Sequence, residues 1–148
     1  MLALNLPQYE FSISDETPAR IFDAIRKKFV VLTPEEWVRQ NFLQFLVVEK
    51  KYPATLLLIE KTLQVNKMKK RCDTVVYNNH GEPLMILEFK KPDVPINQKV
   101  FDQIARYNIP LKVKYLTVSN GLSHYCCTID FENNSYKFLD GIPEYNFL

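Results

Sequence analysis

At 148 residues, with 47% hydrophobic and 24% charged residues, the chain has the size and composition of one globular domain that buries its own core, which excludes a disordered or fibrous protein. A net charge of +2 is too small to mark a nucleic-acid binder by itself, because such binding rests on local clusters of lysine and arginine. Three cysteines, Cys72, Cys126 and Cys127, are odd in number and lack zinc spacing, so a disulfide framework is not expected.

The opening residues carry neither a basic leader nor an apolar run of secretory length, and no later run reaches membrane-spanning length; the expected location is cytoplasmic, with reduced thiols. Basic clusters do exist, at Arg26-Lys27-Lys28, Lys67 to Arg71, Lys90-Lys91 and Lys112 to Lys114. There are no repeats or low-complexity stretches, so a single domain is expected over 1–148, with an N-terminal extension (1–32), a core (33–130) and a C-terminal strand and tail (131–148).

The extension reads as mixed structure. Thr33-Pro34-Glu35-Glu36 is a helix start, with Thr33 as N-cap, Pro34 in the first turn and Glu36 three residues after the cap. A helix over 34–50 follows, with Trp37, Val38, Phe42, Phe45, Leu46 and Val48 as its core stripe. After Pro53, TLLLIEKTLQV suggests a strand near 57–66. Cys72 to Tyr77 and Leu84 to Phe89 flank Asn78-Asn79-His80-Gly81-Glu82-Pro83, the strongest turn signal in the chain, and predict a hairpin.

Asn97 to Asn108 reads as a second helix, with Val100, Ile104 and Tyr107 on one side and Pro110 ending it. Strands over Val113 to Ser119, 124–130 and 135–139 complete the order helix, three strands, helix, strands. The fold class expected is α/β, with α+β-like character: a central mixed β-sheet flanked by helices.

Asp73, Glu88 and Lys90 stand out on residue type alone. A turn centred on His80 and Gly81 sets Asp73 opposite Glu88, and Lys90 lies two residues beyond Glu88 on the same strand face. Two facing carboxylates repel, and a hard divalent cation would relieve that repulsion. The bland reading is that Asp73 ends a turn while Glu88 and Lys90 form a surface pair.

The run RCDTVVYNNHGEPLMILEFKKP, followed by FDQIARYN and YLTVSNGLSHY and preceded by TPEEWVRQNF, resembles the PD-(D/E)xK nuclease superfamily, and specifically the N-terminal nuclease domain of type I restriction enzyme R subunits, over residues 20 to 130. The resemblance implies a restriction-endonuclease-like core and a Mg2+-dependent deoxyribonuclease, with Mn2+ able to substitute. Asp73 and Glu88 become metal ligands and Lys90 the catalytic lysine. Glu36 matches a further acidic metal position, which a slip of one residue would move to Glu35. Gln103 and Tyr107 match the QxxxY pair associated with DNA contact.

Lys70, Arg71 and Lys91, in the basic runs beside the hairpin, then serve as phosphate contacts. Cys72 stands where the superfamily name has proline, and none of Gly81, Gly121 or Gly141 opens a GxxxxGK phosphate loop, so no ATP site is expected. DNA is the expected partner, together with a separately encoded helicase, translocase or methyltransferase; a dimer would suit cleavage of both strands. The competing function is a DNA-binding or assembly module whose nuclease site is silent without such a partner. A nuclease acting on RNA or on branched DNA is a third reading.

Overall fold

The run PLMILEF is apolar almost throughout because its strand lies in the middle of a sheet covered on both faces. The structure is a computed structural model describing residues 1–148. It contains β1 (Arg20–Asp23), β2 (Lys28–Val31), α1 (Pro34–Val48), β3 (Leu57–Val65), β4 (Met68–Tyr77), β5 (Pro83–Phe89), α2 (Gln98–Asn108), β6 (Tyr115–Ser119), β7 (His124–Asp130) and β8 (Ser135–Phe138). Six strands form one sheet in the order β3-β4-β5-β6-β7-β8, and β1 and β2 make a separate two-stranded ribbon.

All neighbours in the large sheet run antiparallel except β5 and β6, which are parallel and joined through α2. Successive residues of the central strands therefore feed two cores. Val75, Ile86, Leu116 and Cys127 pack with Phe101 and Ala105 of α2. Val76, Met85, Leu87 and Phe89 pack with Val38, Phe42 and Leu46 of α1. Each fully buried large side chain contributes about 1.5–3 kcal/mol of apolar transfer. This is an α+β protein with a mixed sheet, consistent with the restriction-endonuclease-like expectation.

Thr33 caps α1 as its sequence predicts, its hydroxyl accepting from the Glu36 amide at 3.0 Å. The helix ends at Val48, and Val48 is exposed rather than part of the stripe, since burial follows Val38, Phe42, Leu43 and Leu46. Trp37 is half-buried and anchors the N-terminal segment, donating from its indole to the Leu2 carbonyl at 2.9 Å. In α2, the expected face is also corrected. Phe101, Ala105 and Asn108 are buried, while Tyr107 is half exposed at 51%.

The extension that reads as mixed structure contains the β1-β2 ribbon, which turns at residues 24–27. The strand expected from Cys72 begins at Met68, so the basic run Lys67 to Arg71 lies mostly within β4 and pairs with β3 through Lys70↔Leu63 and Arg71↔Thr62. The long β3-β4 hairpin turns at Asn66 and Lys67, with Asn66 in the left-handed region at φ 57°. Gly121, at φ +85°, lies against Leu4; a Cβ there would sit 2.7 Å from the Leu4 Cδ2. No helix is long and apolar enough to cross a membrane.

Candidate active site

The β4-β5 register is the one the turn implies: Val76 faces Met85, Val75 faces Ile86 and Thr74 faces Leu87. One step further, the same register leads to Asp73 and Glu88. The backbone ladder stops there, and the Asp73 side chain replaces it, Oδ2 accepting from the Phe89 amide at 2.7 Å. The Lys90 amide donates to the Ser119 carbonyl at 2.9 Å, which holds the end of β5 against the end of β6.

Burial pushes the Glu88 carboxyl up to about 8, the Asp73 charge adds to the rise, and Lys90 opposes it. A hydrogen bond with Asp73 contributes in the same upward direction. The pair is therefore an acidic site short of positive charge. Glu35, at the start of α1, is drawn into the same field: partial burial and the Asp73 charge raise its pKa, while Arg39 and Lys90 work against the rise.

Glu88 and Lys90 open onto a cleft of about 340 Å³ lined also by Arg71, Gln103, Ile104, Tyr107 and Asn108. The helix spacing of Gln103 and Tyr107 turns both to this side, and both are exposed. Lys70 stands over the Tyr107 ring, 3.8 Å from its centroid, and donates to the Tyr107 carbonyl. Arg71 pairs with Glu60 of β3. Lys91 is exposed and apart from the cleft, 3.8 Å from Asp93.

Glu36 stands elsewhere, in a buried ion cluster behind Asp73. Its Oε1 meets Arg26 Nη2 at 3.0 Å and Arg39 Nη1 at 2.9 Å, and its Oε2 accepts from Gln40 at 3.0 Å. Arg26 also pairs with the fully buried Asp23 of β1. Both oxygens of Glu36 are thus taken by protein donors, and its side chain is drawn away from the cap it would otherwise complete. The Asp73 charge raises the Glu35 pKa, and the Glu35 charge adds in turn to the rise at Glu88.

The family model for the type I restriction enzyme R protein N terminus matches residues 34–143. The chain belongs to this family. No curated protein matches it. The match runs from the first residue of α1 past the end of β8, so the R-protein N-terminal domain takes in the whole six-stranded sheet, both helices and every acid of the cleft.

Three residues of this R-protein domain have roles that sequence reasoning did not find. Arg39 reaches from α1 to Asp73, Glu60 gathers Arg26, Arg39 and Arg71, and Asn108 lines the cleft while its amide donates to the Ile104 carbonyl at 2.8 Å. The only signal available was the polar trio Arg39-Gln40-Asn41 inside an otherwise apolar helix face, and all three are buried. Arg26 belongs to one of the basic clusters, yet it turns inward.

Proposed function

We propose that this R-protein domain is a Mg2+-dependent DNA phosphodiesterase, with Asp73 and Glu88 as metal ligands, Lys90 as the catalytic lysine and Glu35 as the acid that α1 brings to the site. The observation that carries the reading is the Asp73–Glu88 pair: Asp73 accepts from the Phe89 amide beside half-buried Glu88, which lines the cleft together with Lys90 and whose carboxyl is pushed up to about 8. Such a donor set fits a hard divalent cation, which takes oxygen ligands and completes its shell with waters and a substrate phosphate. No three His, Cys, Asp or Glu side chains gather into a cage, so the proposal rests on the Asp73–Glu88 pair.

When bound, the cation would lower the pKa of a coordinated water and offset charge on the reacting phosphate. Lys90 is suited to orient the attacking water or to stabilise charge developing on the phosphate oxygens. Arg71 and Lys70, at the cleft mouth, would hold the phosphate backbone, and Gln103 and Tyr107 would contact the strand from the helix side. Such contacts position the backbone without reading bases, so little intrinsic sequence preference is expected. Membership in the R-protein family supports DNA as substrate and other restriction-modification subunits as partners.

The test is cleavage of supercoiled, linear and single-stranded DNA by the purified chain with Mg2+, Mn2+ or EDTA, beside Lys90→Ala. Metal-dependent cutting that falls on the order of a thousandfold in the variant is the expected result. DNA binding without cutting by either protein would instead favour the partner-dependent assembly module.

A further inference from the structure

We infer that Arg39 is a positioning residue for Asp73: its guanidinium holds one carboxylate oxygen so that the other lone pairs are presented to the cation at the proposed site. The inference rests on the metal reading above. Arg39 is 4% exposed and sits at the meeting point of three elements. Its Nη1 lies 2.9 Å from Glu36 of α1 and 3.6 Å from Glu60 of β3, and its Nη2 lies 3.4 Å from Oδ1 of Asp73 in β4. The other Asp73 oxygen accepts from the Phe89 amide at 2.7 Å, so the carboxylate is gripped at both ends, by a planar cation and by the backbone of β5.

The backbone around Asp73 points the same way. Ile59 faces Thr74 and Lys61 faces Cys72, but Glu60 and Asp73, which lie between them, do not pair. Glu60 adopts φ 54°, a left-handed conformation in mid-strand for a residue other than glycine. The sheet thus gives up its regular ladder at the one row where Glu60, Asp73 and Glu88 would stand side by side as three acids. Glu60 is swung onto Arg26, Arg39 and Arg71, while Arg39 covers the Asp73 end of that row.

A lysine could supply the charge of Arg39 but not its fork, because an ammonium is a compact point charge without the planar two-pronged geometry. Arg39→Lys therefore separates orientation from field. The double substitution Arg39→Met with Glu60→Gln separates them a second way, since it removes one positive and one negative charge together and leaves Glu36 paired to Arg26. Asp23→Asn weakens the same buried cluster at a point that does not touch Asp73 and serves as the stability reference.

The experiment titrates Mn2+ into the full chain and its variants, following the free-ion electron paramagnetic resonance signal, with circular dichroism to confirm folding and thermal melts to record stability. Wild type is expected to bind Mn2+, and Asp73→Asn to lose that binding. Arg39→Lys and the double variant are expected to bind about ten- to a hundredfold more weakly while folded. Asp23→Asn is expected to melt lower with unchanged Mn2+ affinity. Wild-type affinity in either folded Arg39 variant would overturn the positioning role while leaving the metal site in place. Wild-type protein that binds no Mn2+, or binds it independently of Asp73, would remove the metal reading and this inference with it.

Discussion

Glu36 and Glu88 are both poorly exposed glutamates reached by a basic side chain, and their surroundings differ in kind. Around Glu36, Arg26, Arg39 and Gln40 occupy both carboxylate oxygens. Around Glu88, burial and the Asp73 charge outweigh Lys90, and the group is held up to about 8. One acid is over-supplied with donors and serves the fold. The other is under-supplied, on the wall of an open cleft, which is what the proposed metal site requires of it. What separates the two is the balance of partners, since residue type is the same.

The largest effect that would break this comparison is on stability. Glu36→Ala leaves Arg26 and Arg39 facing one acid fewer inside the protein, and should cost about 3–5 kcal/mol in urea unfolding. Glu88→Gln should not destabilise the metal-free chain at neutral pH, because it removes a group whose ionised form is disfavoured in the fold. Equal losses in the two variants would end the distinction.

A pH titration sharpens it. Glu88 has its folded pKa raised from 4.5 to about 8, so its contribution is fully present below pH 4.5 and is lost as pH rises through about 8. In EDTA, wild type should therefore lose melting temperature across that window relative to Glu88→Gln. Added Mn2+ should close the gap, since binding to the native state favours the ionised carboxylate. Parallel curves in EDTA would remove the charge deficit from the argument.

The smallest effect is at the cleft mouth. Tyr107→Ala removes a half-exposed ring that the Lys70 ammonium covers, and should cost about 0.5–1 kcal/mol in thermal denaturation. DNA affinity, read by fluorescence anisotropy, should fall in the same variant. A loss of several kcal/mol with unchanged DNA affinity would make Tyr107 part of the core after all.

Local features of the chain were legible. The Thr33 cap, the 72–89 hairpin and the opposition of Asp73 and Glu88 all follow from interactions among residues close in sequence, where turn chemistry and a period of two set the register. The early start of β4 was not legible, because Met68 to Arg71 is a basic run and only its partner β3 makes it a strand. The inward face of α2 was misread for a related reason. Ile104 and Tyr107 are the more apolar choice, but the sheet lies under Phe101 and Ala105, and buried Asn108 finds its partner in the Ile104 carbonyl. The inward turn of Arg26 was not legible either, because Asp23 and Glu36 enclose it only in the folded chain.

By itself the sequence determined the two helices, the order of elements after residue 33, the central hairpin and the placing of Asp73 and Glu88 beside its ends, because each depends on near neighbours along the chain. That Glu36 is enclosed by Arg26, Arg39 and Gln40, and which basic residues turn inward, was decided only by tertiary structure. Arg26, Arg39, Glu60 and Asp73 come from β1-β2, α1, β3 and β4, and their charges are balanced only when those four parts of the chain meet.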